Sequence, residues 1–155
     1  WQKNFDLFAD EMDSDFKRGL WYGLFSPTPV LPLSWWWEYF DDRGTDAYLA
    51  KVRGVLDEMM KVGQGSFERL DVMADHEAIE TYAVKCGDKT FVYLYNHTAN
   101  SATSNIAIKG FSGLKDARIY DCETGIWTSQ KLNSTADAKI KDVEVKAKAD
   151  LVLAY

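Results

Sequence analysis

Lys89-Thr90-Phe91-Val92-Tyr93-Leu94-Tyr95-Asn96 is the stretch on which the fold turns. Successive side chains on a strand point to opposite faces. Phe91, Tyr93 and Tyr95 therefore share one face, and Val92 and Leu94 the other. A strand that is apolar on both faces is covered on both, which places 89–96 in the middle of its sheet. The period of two continues outward from it. Strands are predicted at 67–73 and 77–86 before it, and at 104–109, 115–122, 125–132, 139–147 and 150–155 after it. Turn chemistry separates them at Gly87-Asp88, Asn100-Ser101, Gly110 to Gly113, Thr124-Gly125 and Asn133-Ser134. In 139–147, Val143, Val145 and Ala147 alternate with Glu144, Lys146 and Lys148. About eight short strands at this spacing describe an antiparallel β-sandwich.

Before Ser66 the pattern is different. Ser14 is placed to cap a helix from Asp15 to Phe25, with Phe16, Leu20 and Leu24 on its apolar side. Pro27, Pro29 and Pro32 close it and favour extended chain. Asp41, Asp42, Arg43 and Gly44 make a polar loop. Thr45 is a candidate N-cap for a second helix, with Leu49, Val52, Leu56, Met59 and Met60 as its apolar stripe, ending at Gly63 and Gly65. That helix is expected to dock onto the sandwich. Between the helices, Leu31-Pro32-Leu33-Ser34-Trp35-Trp36-Trp37-Glu38-Tyr39-Phe40 is predicted as a strand. Alternation puts Trp35 and Trp37 on one face and Trp36 on the other, so both faces need covering. One such strand between two helices is what a parallel α/β structure contains. In (β/α) barrels the carboxyl ends of the strands form the substrate site. Trp35, Trp37 and Glu38 are accordingly the candidate binding residues, because flat aromatic faces beside a carboxylate suit a sugar ring. The other reading of these tryptophans is core packing, and of Glu38 a cap or a loop ion pair.

The expected fold class is thus mainly β: an antiparallel β-sandwich of about eight strands at 66–155, preceded by a helix-strand-helix segment at 1–65. The chain has 155 residues, 46% hydrophobic and 14% aromatic, enough to build a core. Its net charge of −6, with acids outnumbering bases in both halves, argues against nucleic acid or an anionic membrane as partner. No apolar run approaches the ~20 residues of a membrane span. The start at Trp1, without Met or leader, reads as a piece of a longer protein.

Cys86 and Cys122 each flank a strand, and sequence leaves a disulfide and two buried thiols both open. His76 and His97 lack a zinc spacing and read as turn residues. Asp10, Glu11, Asp13 and Asp15 lack the order and glycine of a calcium loop. No phosphate loop or nucleophile elbow occurs. No metal or cofactor is implied. Asn96-His97-Thr98 and Asn133-Ser134-Thr135 match the glycosylation pattern. Trp127 reads first as a packing residue and second as a sugar platform.

Several of these segments carry a resemblance. Gly19-Leu20-Trp21-Tyr22-Gly23-Leu24-Phe25-Ser26, Leu33-Ser34-Trp35-Trp36-Trp37-Glu38-Tyr39, Tyr48 to Val62, and Ala117-Arg118-Ile119-Tyr120-Asp121-Cys122-Glu123-Thr124-Gly125 occur in this order. They resemble the penultimate barrel helix, eighth strand, last barrel helix and appended sandwich of cellulase-like (β/α)-barrel glycoside hydrolases. Leu33-Ser34 stands where that family usually has a small residue and Pro. The resemblance implies a C-terminal part of such an enzyme. Its two catalytic carboxylates, ~5 to 5.5 Å apart in retaining enzymes, belong to barrel strands four and seven and would lie upstream of Trp1. No residue of this chain takes a catalytic role on that reading, and the isolated chain is expected to be inactive. Trp35, Trp37 and Glu38 would touch carbohydrate in the full-length enzyme, and the missing N-terminal barrel would be the chief partner. Without it, residues 31–40 are expected to self-associate, to pack in a non-native way or to be locally disordered. An extracellular or periplasmic location follows from the resemblance alone. The alternative is a non-catalytic carbohydrate-binding or protein-interaction sandwich.

Overall fold

The computed structural model describes residues 6–26, 37–110, 117–131, 133–134 and 139–155, and only backbone at 130 and 133–134. Among the described residues, three α-helices come first: α1 (Ala9–Phe25), α2 (Trp37–Asp42) and α3 (Leu49–Gly63). Ten strands follow: β1 (Phe67–Leu70), β2 (Val72–Ala74), β3 (Ile79–Cys86), β4 (Lys89–Asn96), β5 (Ala102–Ile108), β6 (Ala117–Asp121), β7 (Ile126–Gln130), β8 (Asn133–Ser134), β9 (Lys139–Val145) and β10 (Asp150–Ala154). They form two sheets, β1-β3-β4-β10-β6-β7 and β2-β5-β9-β8, and every pairing is antiparallel. The protein is mainly β, as its period-two pattern predicts.

β4 is central, paired with β3 from Ile79↔Asn96 to Cys86↔Lys89 and with β10 from Asp150↔Tyr95 to Ala154↔Phe91. Its two faces serve two cores. Val92 and Leu94 join Ile106, Ile140, Val143 and Leu153 between the sheets. Phe91, Tyr93 and Tyr95 join Trp21, Phe25, Val52, Val55, Met59 and Val152 beneath the helices. The order of layers is helices, six-stranded sheet, four-stranded sheet. α1 and α3 thus pack on the sandwich, and the expected docking of the second helix is observed.

α1 forms because Phe16, Leu20 and Leu24 recur at helical spacing, with Trp21 and Phe25 beside them. Trp21 is fully buried and stacks on Tyr93 at 5.8 Å between ring centres. The helix starts at Ala9, so Ser14 is internal and caps nothing, and it stops one residue before Ser26-Pro27. Thr45 is not a side-chain cap either. A 3-10 turn, Thr45–Tyr48, leads into α3, and the Thr45 hydroxyl donates instead to Asp13 Oδ1 at 2.7 Å. α3 ends at Gln64 in the left-handed conformation, its N–H donating to Met60 O.

Three further sequence readings are resolved. The strand predicted at 67–73 is two strands in different sheets, divided at Asp71, whose carbonyl accepts from Lys109 N–H at 3.0 Å. The strand predicted through 31–40 is helical from Trp37 onward; its earlier residues lie outside those described. A three-aromatic run has no period, so it cannot separate strand from helix. Finally, Asn96 is fully buried, and its Nδ2 donates to Asn100 O and Val145 O. That amide holds the β4 end and is closed to a glycan. Asn133 has no described side chain. Among the described residues, no helix is long and apolar enough to cross a membrane.

Candidate functional site

The residues singled out by sequence fall on and before α2. Trp35 lies outside the described residues. Trp37 and Glu38 open the helix, and both side chains are exposed, Trp37 at 63%. Phe40 is the anchor, buried and stacked on Phe16 at 4.3 Å. Trp37 and Glu38 are exposed, while Phe40 packs onto α1. Arg43 follows the helix, 5.7 Å over the Tyr39 ring, and both its Nε and a terminal nitrogen donate to Asp13 Oδ2 at 3.0 and 2.6 Å. Asp13 is held below the ordinary carboxylate range: its partial burial opposes this, but the Arg43 and Thr45 hydrogen bonds outweigh it. Part of the sequence's acidic cluster is therefore a tether between α1 and the loop after α2.

Beneath α1 lies a buried aromatic and polar network that sequence reasoning did not single out. Trp21 Nε1 donates to Tyr48 Oη at 2.9 Å. Tyr93 Oη donates to Asp150 Oδ2 at 3.1 Å. Tyr22 Oη donates to Glu80 Oε2 at 2.5 Å. Burial pushes the Tyr48 and Tyr93 phenols far up, and burial with the Glu80 bond does the same for Tyr22. Burial also raises Asp150 to about 6, against the Tyr93 hydrogen bond, which favours the ionised form. The signal was the polar residue opening an otherwise apolar strand, Asp150-Leu151-Val152-Leu153.

The remaining candidates resolve into structure. Cys86 and Cys122 are free and buried, and burial raises the Cys86 thiol to about 12 and Cys122 upward too. His76 Nδ1 accepts from Ala78 N–H within its own turn. Trp127 is half-buried, 4.9 Å from Tyr120, with the Arg118 guanidinium 4.5 Å over its ring and Glu58 of α3 on that guanidinium at 2.7 Å. This is the packing role. Among the described residues, no group of three His, Cys, Asp or Glu side chains is arranged to hold a metal.

No family model matches the chain, and no curated protein matches it in sequence. Solved structures do match its fold. An endoxylanase of glycoside hydrolase family 30 from Clostridium papyrosolvens superposes with TM-score 0.51 at 13% identity, over 67% of this chain and 27% of that one. A family 30, subfamily 8 xylanase from Clostridium acetobutylicum gives TM-score 0.52 at 11% identity, over the same shares. The chain spans about a quarter of the length of these structures. The fold described above is thus one that occurs within glycoside hydrolases.

Proposed function

We propose that the chain is the C-terminal part of a (β/α)-barrel glycoside hydrolase, its sandwich an accessory domain that buttresses the barrel. The observation that carries this reading is that α3 is apolar on two faces. Val52, Val55 and Met59 pack into the sandwich side, while Leu49 and Met60 are exposed at 41% and 53%. A groove of about 390 Å³ runs along Leu49, Val52 and Leu56 on the outside. A helix covered by a sheet on one face and by a barrel on the other needs this pattern. Trp37 and Glu38 are exposed on α2, and on this reading they and Trp35 would contact sugar in the parent enzyme. Chemistry would come from carboxylates of the barrel, none of them assigned in this chain.

The second reading is a self-contained carbohydrate-binding or protein-interaction module. One observation favours it: α1 already has a complete apolar core of its own against the six-stranded sheet, with Trp21 and Phe25 fully buried. Expression of the gene with its upstream coding sequence separates the two. On the first reading the longer protein hydrolyses glycosidic bonds and this chain alone turns over no aryl glycoside. A longer protein lacking a barrel, or turnover by this chain that is lost on Glu38→Gln, refutes it.

A further inference from the structure

Where α1 crosses the end of the six-stranded sheet, a cavity of about 290 Å³ opens to solvent. That is the low end of small-molecule pockets, so its occupant is no larger than a single ring. Asp150 lies half-buried among the lining residues. Its carboxylate accepts from Tyr93 Oη, and burial has raised it to about 6. A carboxylate in this state has unused acceptor capacity facing the cavity.

The walls supply the complementary groups. Lys17 and Arg18 come from α1 and Lys148 from the turn before β10, with the phenols of Tyr48 and Tyr95 between them. Lys17 Nζ is 3.4 Å from Glu123 Oε2 and 5.0 Å over the Tyr48 ring; Lys51 Nζ is 5.1 Å from the same ring. Arg18 lies 5.2 Å over the Tyr95 ring and donates to its Oη at 3.4 Å. Lys148 Nζ donates to His97 O at 2.5 Å. Cations already cover both rings, so a ligand here is recognised by hydrogen bonds and not by stacking.

The charge balance selects the ligand. Asp150, Glu123, Asp10 and Asp13 line the cavity along with the three cations. Carboxylates only accept, and ammonium and guanidinium groups only donate. A cationic ligand meets repulsion from the lysines and Arg18; an anion meets it from Asp150 and Glu123, while Asp10 and Asp13 pair with Arg43. A hydroxyl both donates and accepts, and can pair with either kind of wall. We propose that this cavity binds one neutral polyhydroxy ring, a monosaccharide unit or cyclitol, with two hydroxyls donating to Asp150 and others accepting from Lys17 and Lys148. The site lies wholly within this chain and does not depend on an upstream barrel.

The test is a titration of the isotope-labelled chain, followed by amide chemical shifts. The neutral probes are methyl α-glucopyranoside and myo-inositol. The charged probes are choline, malonate and glycine betaine. At least one neutral probe should give saturating shifts at residues 14–18, 48 and 148–150, with Kd in the millimolar range. Asp150→Asn should weaken it by roughly fivefold or more, since a charged acceptor becomes half donor. Lys148→Ala, at an exposed turn, should weaken it as well and keeps the test informative if the first variant folds poorly. Glu144→Gln, on β9 outside the cavity, should leave it unchanged. Absence of saturation with both polyols, tighter binding of a charged or zwitterionic probe, or affinity unaltered in both cavity variants would overturn the assignment.

Discussion

Asp150 gives the fold a pH dependence whose sign is opposite to that of most carboxylates. Its folded-state value of about 6 lies above the ordinary 3.8. The native chain therefore holds this proton more tightly than the unfolded chain does. Stability from it is fully present below about pH 4 and is lost as pH rises through about 6. The gap between 3.8 and about 6 corresponds to roughly 3 kcal/mol, an upper figure because the cavity admits water. The groups facing Asp150 are Tyr93, which donates to it, Glu123, which opposes its ionisation, and Lys17, which favours it. Tyr48 and Cys122 stay neutral throughout this range, their values raised by burial.

Asp150→Asn keeps the shape and an acceptor for Tyr93 but cannot ionise. Urea unfolding of wild type and variant, followed by tryptophan fluorescence, should be run from about pH 4 to about pH 7.5. Any loss of hydrogen-bond geometry in the variant, ~1 kcal/mol, is the same at every pH. The difference between variant and wild type should therefore move in the variant's favour across this window, by up to roughly 3 kcal/mol and centred between the unfolded and folded values. Other carboxylates cancel in the subtraction. A difference constant to within ~0.5 kcal/mol from one end to the other would refute the reasoning, and would mean that Asp150 is solvated in the fold as it is in the unfolded chain.

Asp75 should behave in the opposite sense. Hydrogen bonds from Asn105 Nδ2 and N–H and from Ser104 Oγ hold it at about 2, so its contribution is lost only as pH falls from about 4 toward 2, and Asp75→Asn should flatten that acid limb. Met59→Ala should cost ~2 to 5 kcal/mol in denaturant unfolding, and Met60→Ala no more than ~0.5 kcal/mol, because the first is 3% exposed and the second 53%; equal costs would disprove the two-faced description of α3. Gly87 sits at φ +60, where a Cβ would come within 2.4 Å of the Val62 carbonyl oxygen, so Gly87→Ala should cost ~2 kcal/mol or more, and a neutral result would mean the hairpin does not press on α3. Cys86 and Cys122 should resist a disulfide reagent in the native state and react in urea; fast native reaction would contradict their burial.

The strands were legible because each carries its own period. Tyr93 and Val92 alternate into two cores, and so do Val152 and Leu153, the pattern a doubly covered strand must have. Less legible was where a strand changes sheet. Phe67 to Met73 reads as one segment, and only the pairing of Leu70 with Ala83 and of Val72 with Ile108 separates its halves. Trp37 and Glu38 were misread for a related reason. Local sequence gave no period there, and Phe40 settles the helix through a contact with Phe16, twenty-four positions away. The Asp150 network was hidden because Tyr93, Tyr48 and Asp150 lie on three elements, and no spacing in the sequence joins them.

α3 shows how a sequence pattern can hold more than it first yields. Leu49, Val52, Leu56, Met59 and Met60 look like one broad stripe. On a helix of 100° per residue, Leu49, Leu56 and Met60 fall within ~40° of one another, and Val52, Val55 and Met59 form a second line roughly 90° away. The structure sends the second line into the sandwich and leaves Leu49 and Met60 outside, with Leu56 half-buried at the border. A single sheet contacts a helix along one stripe of about 100°. Together the two lines span ~140°, somewhat more than that stripe. The part beyond the sheet, Leu49 and Met60, is where a second cover such as the barrel proposed above would sit. A chain in which Leu49→Ser and Met60→Ser change neither solubility nor self-association would count against a second cover.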